Sequence, residues 1–571
     1  MSTKGQQPFS KDLSSSDPDA GLFNQVIFLK YKIKFTMIFQ EVIKIKMKNR
    51  LICALMAIAM LLTLLVSCAK KPDDTKDSGS ENSSVTAEPG SETSGSSEPE
   101  KPTETVTDKN GEVVDPKDDV DANGYLRDNL PSDLNYGGKT VSFLVWDGDG
   151  RAYEEFEETE LSDDLIKSAL YKRNQTVQSR LGVKLKFKKT KGGSSDVKAF
   201  NDMIKLDIEA GSSHEYDIVS AYSRVIAMAA YNGYLSDVKS TKYLNLEKPW
   251  WPKTLTNQST VNGKLYFVSG DIGMSLFHNL NVIYFNKALG ENYNIKADDL
   301  YKAVLDGEWT LDKMMELCEN VYSDTDADNV KSKGDTFGYI ACNTQSQPII
   351  WGCGIKAIDV DKDGKMTASE TFMGDKMHSV ITKFFPWLHN NPNSFFASTT
   401  AIGNDAFAQG RALFFGNIAT YTMTKFVDVE FGILPNPKWN DVQEDYYTVM
   451  GNAFSLFGVP KTSAVDKEMC SAVLEAMGSE GYRQVSPAVF QTSMKLKYAS
   501  DSVIGQMFDK IRASAFFDNG RLYSSVLNDV FTKTYNTAVK NNSTDWISTI
   551  GGKQSEINDA LKALNDAFNK Q

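Results

Sequence analysis

A chain of 571 residues exceeds what one ordinary core uses and indicates two lobes plus accessory segments. Hydrophobic residues make up 41%, enough for a sizeable core, while a net charge of -12 argues against nucleic acid, whose phosphates need clustered Lys and Arg. The six cysteines, Cys53, Cys68, Cys318, Cys342, Cys353 and Cys470, form no C-x-x-C pair, and the four histidines stand at no metal-ligand spacing, which argues against a zinc ribbon or a thioredoxin-type site.

The first strong local pattern is at residues 47–68. Met47-Lys48-Asn49-Arg50 is a short basic start, Leu51 to Leu65 is an apolar run (LICALMAIAMLLTLL), and Leu65-Val66-Ser67-Cys68 follows. This is the order of a secretory signal, and the run is shorter than the roughly 20 residues of a membrane span. Leu65-Val66-Ser67-Cys68 resembles the bacterial lipobox, which implies lipidation of Cys68 and cleavage before it. Residues 1–46 carry acidic residues and a Ser/Asp-rich stretch ahead of any basic region, so translation is expected to start at Met47, with 47–67 as the signal peptide. Residues 68–136 are rich in Ser, Thr, Glu, Pro and Gly and poor in large apolar residues, the composition of a flexible tether.

Order is expected from about residue 137. Lys139 to Trp146 (KTVSFLVW) predicts a buried strand ending at the turn Asp147-Gly148-Asp149-Gly150. A helix is predicted over 162–181, an alternating strand from Gly182, a helix over 200–210 and a strand from Tyr216 to Tyr222. This alternation predicts an α/β fold with a largely parallel sheet, in which ligands bind beyond the carboxyl ends of strands. Trp146, Asp147 and Asp149 then fall on one candidate loop, and Tyr222, Ser223 and Arg224 on the next.

Several later phrases share one order: Tyr216 to Arg224 (YDIVSAYSR), Tyr231 to Val238 (YNGYLSDV), Leu244 to Trp251 (LNLEKPWW), Asn262 to Tyr266 (NGKLY), Val282 to Lys287 (VIYFNK), Asp299 to Lys313, Gly410 to Phe415 (GRALFF), Phe431 to Pro437 (FGILPNP), and the closing stretch Asp501 to Tyr523. In that order the chain resembles the bacterial extracellular solute-binding proteins of the family that includes maltodextrin- and oligosaccharide-binding lipoproteins, over most of 138–571. The resemblance implies a two-lobed periplasmic-binding-protein-like fold of type II, with hinge strands and an interlobe ligand cleft. It implies crossings near 272–282, 426–434 and 480–500. Lobe I is then 137–278 with 430–485, and lobe II 279–429 with 486–571. It also implies a monomeric, lipid-anchored receptor on the outer face of the cell membrane. Such a receptor passes a carbohydrate to the membrane permease of an ABC uptake system. A surface adhesin or a sensory lipoprotein without its own permease would share these features. No G-x-S-x-G, H-E-x-x-H or P-loop motif is present, although the many carboxylates leave a glycosidase pair open. With the resemblance, the expectation is a protein with no catalytic step and no cofactor beyond a candidate calcium ion.

A saccharide offers apolar C–H faces to aromatic rings and a rim of hydroxyls to carboxylates, amides and Arg. On that ground the candidate ligand contacts are Trp146, Asp147, Tyr222, Ser223, Arg224, Asp271, Trp351, Phe415, Asn417 and Tyr421, with Trp351 expected at a strand end in the phrase IIWGCG. Trp250, Trp251 and Trp309 read as packing residues. Asp324, Asp326, Asp328 and Asp335 stand at positions 1, 3, 5 and 12 of a calcium loop, with a helix expected to end near Tyr322 and lead into it. Asp359, Asp361, Asp363 and Glu370 match that spacing more fully, yet Asp363-Gly364 between apolar stretches also signals a hairpin turn. Cys342 and Cys353 read as buried thiols, their spacing alone showing no disulfide.

Overall fold

Leu126 and Leu130 are buried and Asp128 is 8% exposed, so the folded body begins well before residue 137, where the sequence places its start. The computed structural model describes residues 106–107, 113–114, 120–121, 124–148, 154–420, 425–426, 428–490, 492 and 502–571. The segments read as an upstream extension (1–46) and a signal peptide (47–67), and Cys68, lie outside the described residues. Within the segment read as a tether, Val106–Thr107 pairs antiparallel with Val113–Val114. Asp128 then fixes the chain to the first lobe: Arg180 donates to both its oxygens, at 2.6 and 2.5 Å, and Ser479 Oγ donates at 2.6 Å.

The first sheet starts with β1 (Lys139–Trp146), followed by α1 (Leu165–Leu181), β2 (Val183–Thr190), α2 (Val197–Glu209), β3 (Ile218–Tyr222) and α3 (Ser223–Tyr231). Asp164 caps α1 by accepting from the Ile166 and Lys167 amides. Gly182 ends it at φ 58°, and a Cβ there would lie 2.3 Å from the Asn135 side-chain oxygen. β1 runs parallel to both β2 and β3, as the alternation predicts.

The second sheet is built from β4 (Asn281–Asn286), β5 (Phe337–Ala341), β6 (Ser394–Phe396), β7 (Ala412–Ile418) and β8 (Phe431–Leu434), in the spatial order β6-β5-β7-β4-β8. Two helices flank β5 and β6 in the chain, α4 (Asn343–Gly352) and α5 (Asp375–Asn390). α4 overturns the extended reading of IIWGCG. Every residue from Gln345 to Gly352 is buried, and a short apolar run does not distinguish a strand from a helix buried on all sides.

The chain returns through β9 (Thr448–Val449) to β10 (Ser455–Gly458), which joins the first sheet antiparallel to β3. The sequence assigns 430–485 to the first lobe, with a crossing at 426–434. β8 instead pairs with β4, Phe431 opposite Asn286, so this crossing lies between Leu434 and Ser455. α6 (Lys467–Glu480) and the helical residues that follow it to Phe490 pack on α1, so 486–490 stay with the first lobe rather than the second. α7 (Ser502–Ala513) packs on β8, and β11 (Ala515–Phe516) pairs parallel with β9 as a hinge ladder. α8 (Val530–Lys540) packs on α4, and α9 (Gln554–Asn569) reaches both the Met366–Ala368 strand and α3. Among the described residues no helix is long and apolar enough to cross a membrane. Cys318, Cys342, Cys353 and Cys470 are buried free thiols.

Two carboxylates of the first lobe give opposite pH responses. Burial alone would raise the Asp128 pKa, but hydrogen bonds from Arg180 and Ser479 hold it below its ordinary value. Its contribution is therefore present above the unfolded value and lost as pH falls through the folded one. Asp128→Ala is expected to cost about 3 kcal/mol in denaturant unfolding at pH 7, because it leaves Arg180 half-buried without its partner. Glu475 on α6 accepts from Trp251 Nε1 (2.9 Å) and the Asn245 amide (3.1 Å), and burial pushes its pKa up to about 7. A raised acid favours the fold below its unfolded value near 4.5, and that contribution is lost as pH rises through 7. The stability difference between wild type and Glu475→Gln should therefore shift by on the order of 3 kcal/mol between pH 4.5 and 8, read by urea melts.

Candidate functional site at the junction of the lobes

The carboxyl ends of β1 and β3 bring Trp146 and Tyr222 together, their rings edge to face at 5.9 Å. Trp146 is only 1% exposed, and its Nε1 donates to Ser455 Oγ at 2.8 Å. Ser455 in turn donates to the carboxylate of Glu155, and its amide donates to Ser275 Oγ at 3.0 Å. The Ser275 amide donates to the other Glu155 oxygen at 3.0 Å. Behind Glu155, the fully buried guanidinium of Arg173 donates to the Ile272, Glu155 and Phe156 carbonyls. Burial lowers the Arg173 pKa to about 10, against the field of Glu155. These bonds fasten the first crossing (272–275) and the start of β10 to the end of β1.

From the other side, α4 starts directly beyond β5 and carries Gln347 and Trp351. Trp351 is 1% exposed; its Nε1 donates to Asp518 at 2.8 Å, and the Arg521 guanidinium lies over its ring at 5.3 Å. Arg521 donates to Gln347 Oε1 at 3.1 Å and to the Met450 carbonyl at 3.3 Å, which joins α4 to the hinge. Arg224, in the first turn of α3, donates to Asp529 and to Ser524 Oγ, so the segment after β11 also reaches the first lobe. Ser223 Oγ donates to the Asn452 carbonyl at 2.6 Å.

Tyr222, Ser223, Arg224 and Trp351 are therefore brought to one junction with Trp146, with Asp147 exposed at the end of β1. The two Trp side chains act there as walls, since both are buried and both indole N–H groups are hydrogen-bonded. Three sequence candidates lie elsewhere or serve packing. Phe415 is fully buried between Phe407 and Phe426 in the core of the second lobe. Asn417 is half-buried, donating to Asn404 Oδ1 and accepting from the Ile418 amide. Asp271 pairs with Arg512 at 3.0 Å and accepts from Ser486 at 2.5 Å, on the wall of a separate cavity of about 640 Å³ beside Trp250 and Phe277. Asp149 and Tyr421 lie outside the described residues.

Glu155, Ser455, Gln347 and Arg521 are missed by the sequence reading. Glu155 sits in the acidic run EEFEETE, which reads as a solvated face, and the other three have partners far away in the chain.

At the candidate calcium loop, Asp324, Asp326 and Asp328 each bring a ligand atom within 4.8 Å of the others. Asp335 does not join them. It is fully buried and accepts from the Ser332 amide at 2.7 Å and from Thr325 and Tyr322. Helix Leu311–Leu317 ends before Tyr322, and a Ser323–Thr336 bridge closes the loop, so the helix-loop geometry expected there is not formed. Crowding fits the acid pattern: burial and the neighbouring Asp328 and Asp324 raise the Asp326 pKa, while the Asn329 amide lowers that of Asp324. The second acidic spacing is the predicted hairpin: Ile358–Val360 pairs with Met366–Ala368, and Asp361 accepts from the Asp363 and Lys365 amides.

No protein-family model and no curated protein matches the sequence. Solved structures do match. The cyclic alpha-maltosyl-1,6-maltose binding protein from Arthrobacter globiformis is similar at TM-score 0.52 and 15% identity, over 75% of this chain and 100% of that one. The chain has the two-lobed fold of the periplasmic binding proteins. A cyclo/maltodextrin-binding protein complexed with maltotetraose is similar at TM-score 0.48 and 12% identity, over 76% of this chain and 98% of its own. An ABC transporter solute binding protein from Thermotoga lettingae TMO bound with alpha-D-tagatose stands at TM-score 0.46 and 12% identity, over 75% and 100%.

Ser455→Ala removes the acceptor of Trp146 and a donor to Glu155, both buried. It is expected to cost about 2 kcal/mol in guanidinium melts without changing the secondary structure.

Proposed function

We propose that this protein is a sugar- or oligosaccharide-binding receptor of an ABC uptake system, anchored outside the membrane through Cys68, with no catalytic step of its own. The observation that carries the reading is the junction itself. Tyr222 and Arg224 of the first lobe meet Gln347 and Arg521 there, with the half-buried Tyr222 ring in front and the indoles of Trp146 and Trp351 buried behind. A tyrosine ring beside guanidinium and amide groups suits a pyranose, which carries apolar C–H faces and outward hydroxyls. The fold shared with a protein that binds cyclic alpha-maltosyl-1,6-maltose supports the same reading. The lipid anchor is read from the lipobox-like Leu65-Val66-Ser67-Cys68 and the Ser/Glu/Pro-rich stretch after it, and handing the sugar to a permease is what the resemblance to solute-binding lipoproteins implies.

A thermal-shift screen against mono- and oligosaccharides tests the binding claim. A sugar at 100-fold its Kd should add about 2.7 kcal/mol of stability. A shift with one saccharide class is expected, and Tyr222→Ala should weaken that binding at least tenfold. Silence with every sugar sinks the carbohydrate reading and favours a surface adhesin. For the anchor, Cys68→Ser is expected to move the protein from the membrane fraction to the medium, followed by immunoblot.

The same reading places a calcium ion at Asp324, Asp326 and Asp328. These offer three of the 6–8 oxygens such an ion takes, the others coming from water or backbone. Calcium titration is expected to raise the melting temperature of the wild type and leave Asp326→Asn unchanged; equal responses would remove the ion from the account.

A further inference from the structure

Arg521 brings to the junction a charge that no hydrogen-bonded carboxylate matches. Its two terminal nitrogens donate to neutral acceptors, Gln347 Oε1 and the Met450 carbonyl, and its Nε has no hydrogen-bond partner. Asp518, three residues earlier, is already occupied: Trp351 Nε1, the Ala357 amide and the Gly520 amide donate to it at 2.8, 2.7 and 2.7 Å. Burial depresses the Arg521 pKa, opposed at longer range by Asp518 and Tyr222 and reinforced by Arg224. The Arg224 charge, by contrast, is taken up by Asp529. A cation held away from water without a directly bonded anion is costly, and a ligand anion would offset that cost.

The surroundings favour the same sign of ligand. The Arg521 guanidinium lies over the Trp351 ring at 5.3 Å and donates to Gln347 in the first half of α4. Beside it, α3 starts at Ser223 with no side-chain cap on its first amides. Helix N-termini carry partial positive charge, and both α3 and α4 begin at this junction. A guanidinium with a free edge position suits a carboxylate, which it can bind through two parallel N–H donors.

We propose that the ligand is an acidic saccharide, a uronic acid or an oligosaccharide ending in one, and that Arg521 binds its carboxylate. The inference rests on the saccharide reading above. The ring of the sugar then lies by Tyr222 while its carboxylate meets Arg521, and neutral sugars of the same shape leave that guanidinium unmatched.

The test is calorimetric titration of the full-length protein with matched pairs that differ only at C6: glucuronate against glucose and galacturonate against galactose, as mono- and disaccharides. The acid of one pair is expected to bind at least tenfold more tightly than its neutral partner, with the preference shrinking as salt rises. Arg521→Gln loses the charge and should cut the preference at least tenfold; Arg521→Lys keeps the charge but loses the paired N–H edge and should fall between Arg521→Gln and the wild type. Melting curves establish that each variant folds, and if Arg521→Gln does not, the wild-type acid-to-neutral ratio and its salt dependence decide. Equal binding of acid and neutral partners, or a preference untouched by Arg521→Gln, overturns the acidic ligand and leaves the saccharide reading standing. Absence of binding by every member of every pair counts against both.

Discussion

Glu155 is a carboxylate buried where three separate stretches of chain meet, and the site depends on its being satisfied there. It takes hydrogen bonds from Ser455 and from the Ser275 amide, while Arg173 grips the carbonyls on either side. A buried polar group of this kind is tolerated only if its hydrogen-bond partners are in place, so the end of β1, the first crossing and β10 have one relative arrangement. Trp146 inherits its position from the same chain of bonds through Ser455. The indole can therefore serve as a fixed wall for Tyr222 without itself being exposed.

On the far side of the junction the fixed element is Trp351, locked between Asp518 and Arg521. Asp518 and Arg521 belong to the segment after β11, which also reaches Arg224 of the first lobe through Ser524 and Asp529. One C-terminal segment thus touches both lobes at the mouth of the site. The end of the chain repeats the arrangement at the periphery: Asn565 of α9 accepts from the Met366 amide, while Asn262 donates to Asn569 and Gln571 Nε2, just beyond α9, donates to the Ala230 carbonyl. Phe568 of α9 also packs on Tyr266 of the first lobe, ring centroids 5.6 Å apart, so any opening of the lobes must rearrange apolar as well as polar contacts. The β9–β11 ladder and the Leu280–Met450 bridge join the segments that cross between the lobes.

What the sequence revealed was whatever a local pattern controls. KTVSFLVW is a buried parallel strand, Gly182 stops α1, and Asp363-Gly364 turns a hairpin, each as its own residues dictate. The resemblance in phrase order carried the two-lobed arrangement. Errors arose where local pattern is silent. IIWGCG is apolar in every register, so its helix could not be told from a strand. At the Asp324 loop the spacing fails only at the twelfth position and the lead-in: Asp335 is drawn to the Ser332 amide, and a Ser323–Thr336 bridge stands where a helix was expected. Phe415 lies within β7 rather than after it, and packs into the core between Phe407 and Phe426. Arg521 was invisible for a different reason: its contacts with Gln347 and Met450 span 174 and 71 residues, and nothing in FFDNGRLY announces them.

The most direct measurement is a crystal structure of the protein grown with whichever saccharide raises its melting temperature. The account predicts sugar density at the junction, in contact with Tyr222 and Arg521, with Trp146 and Trp351 as its walls. Density in the 640 Å³ cavity beside Asp271 and Arg512, with the junction closed and empty, would contradict it.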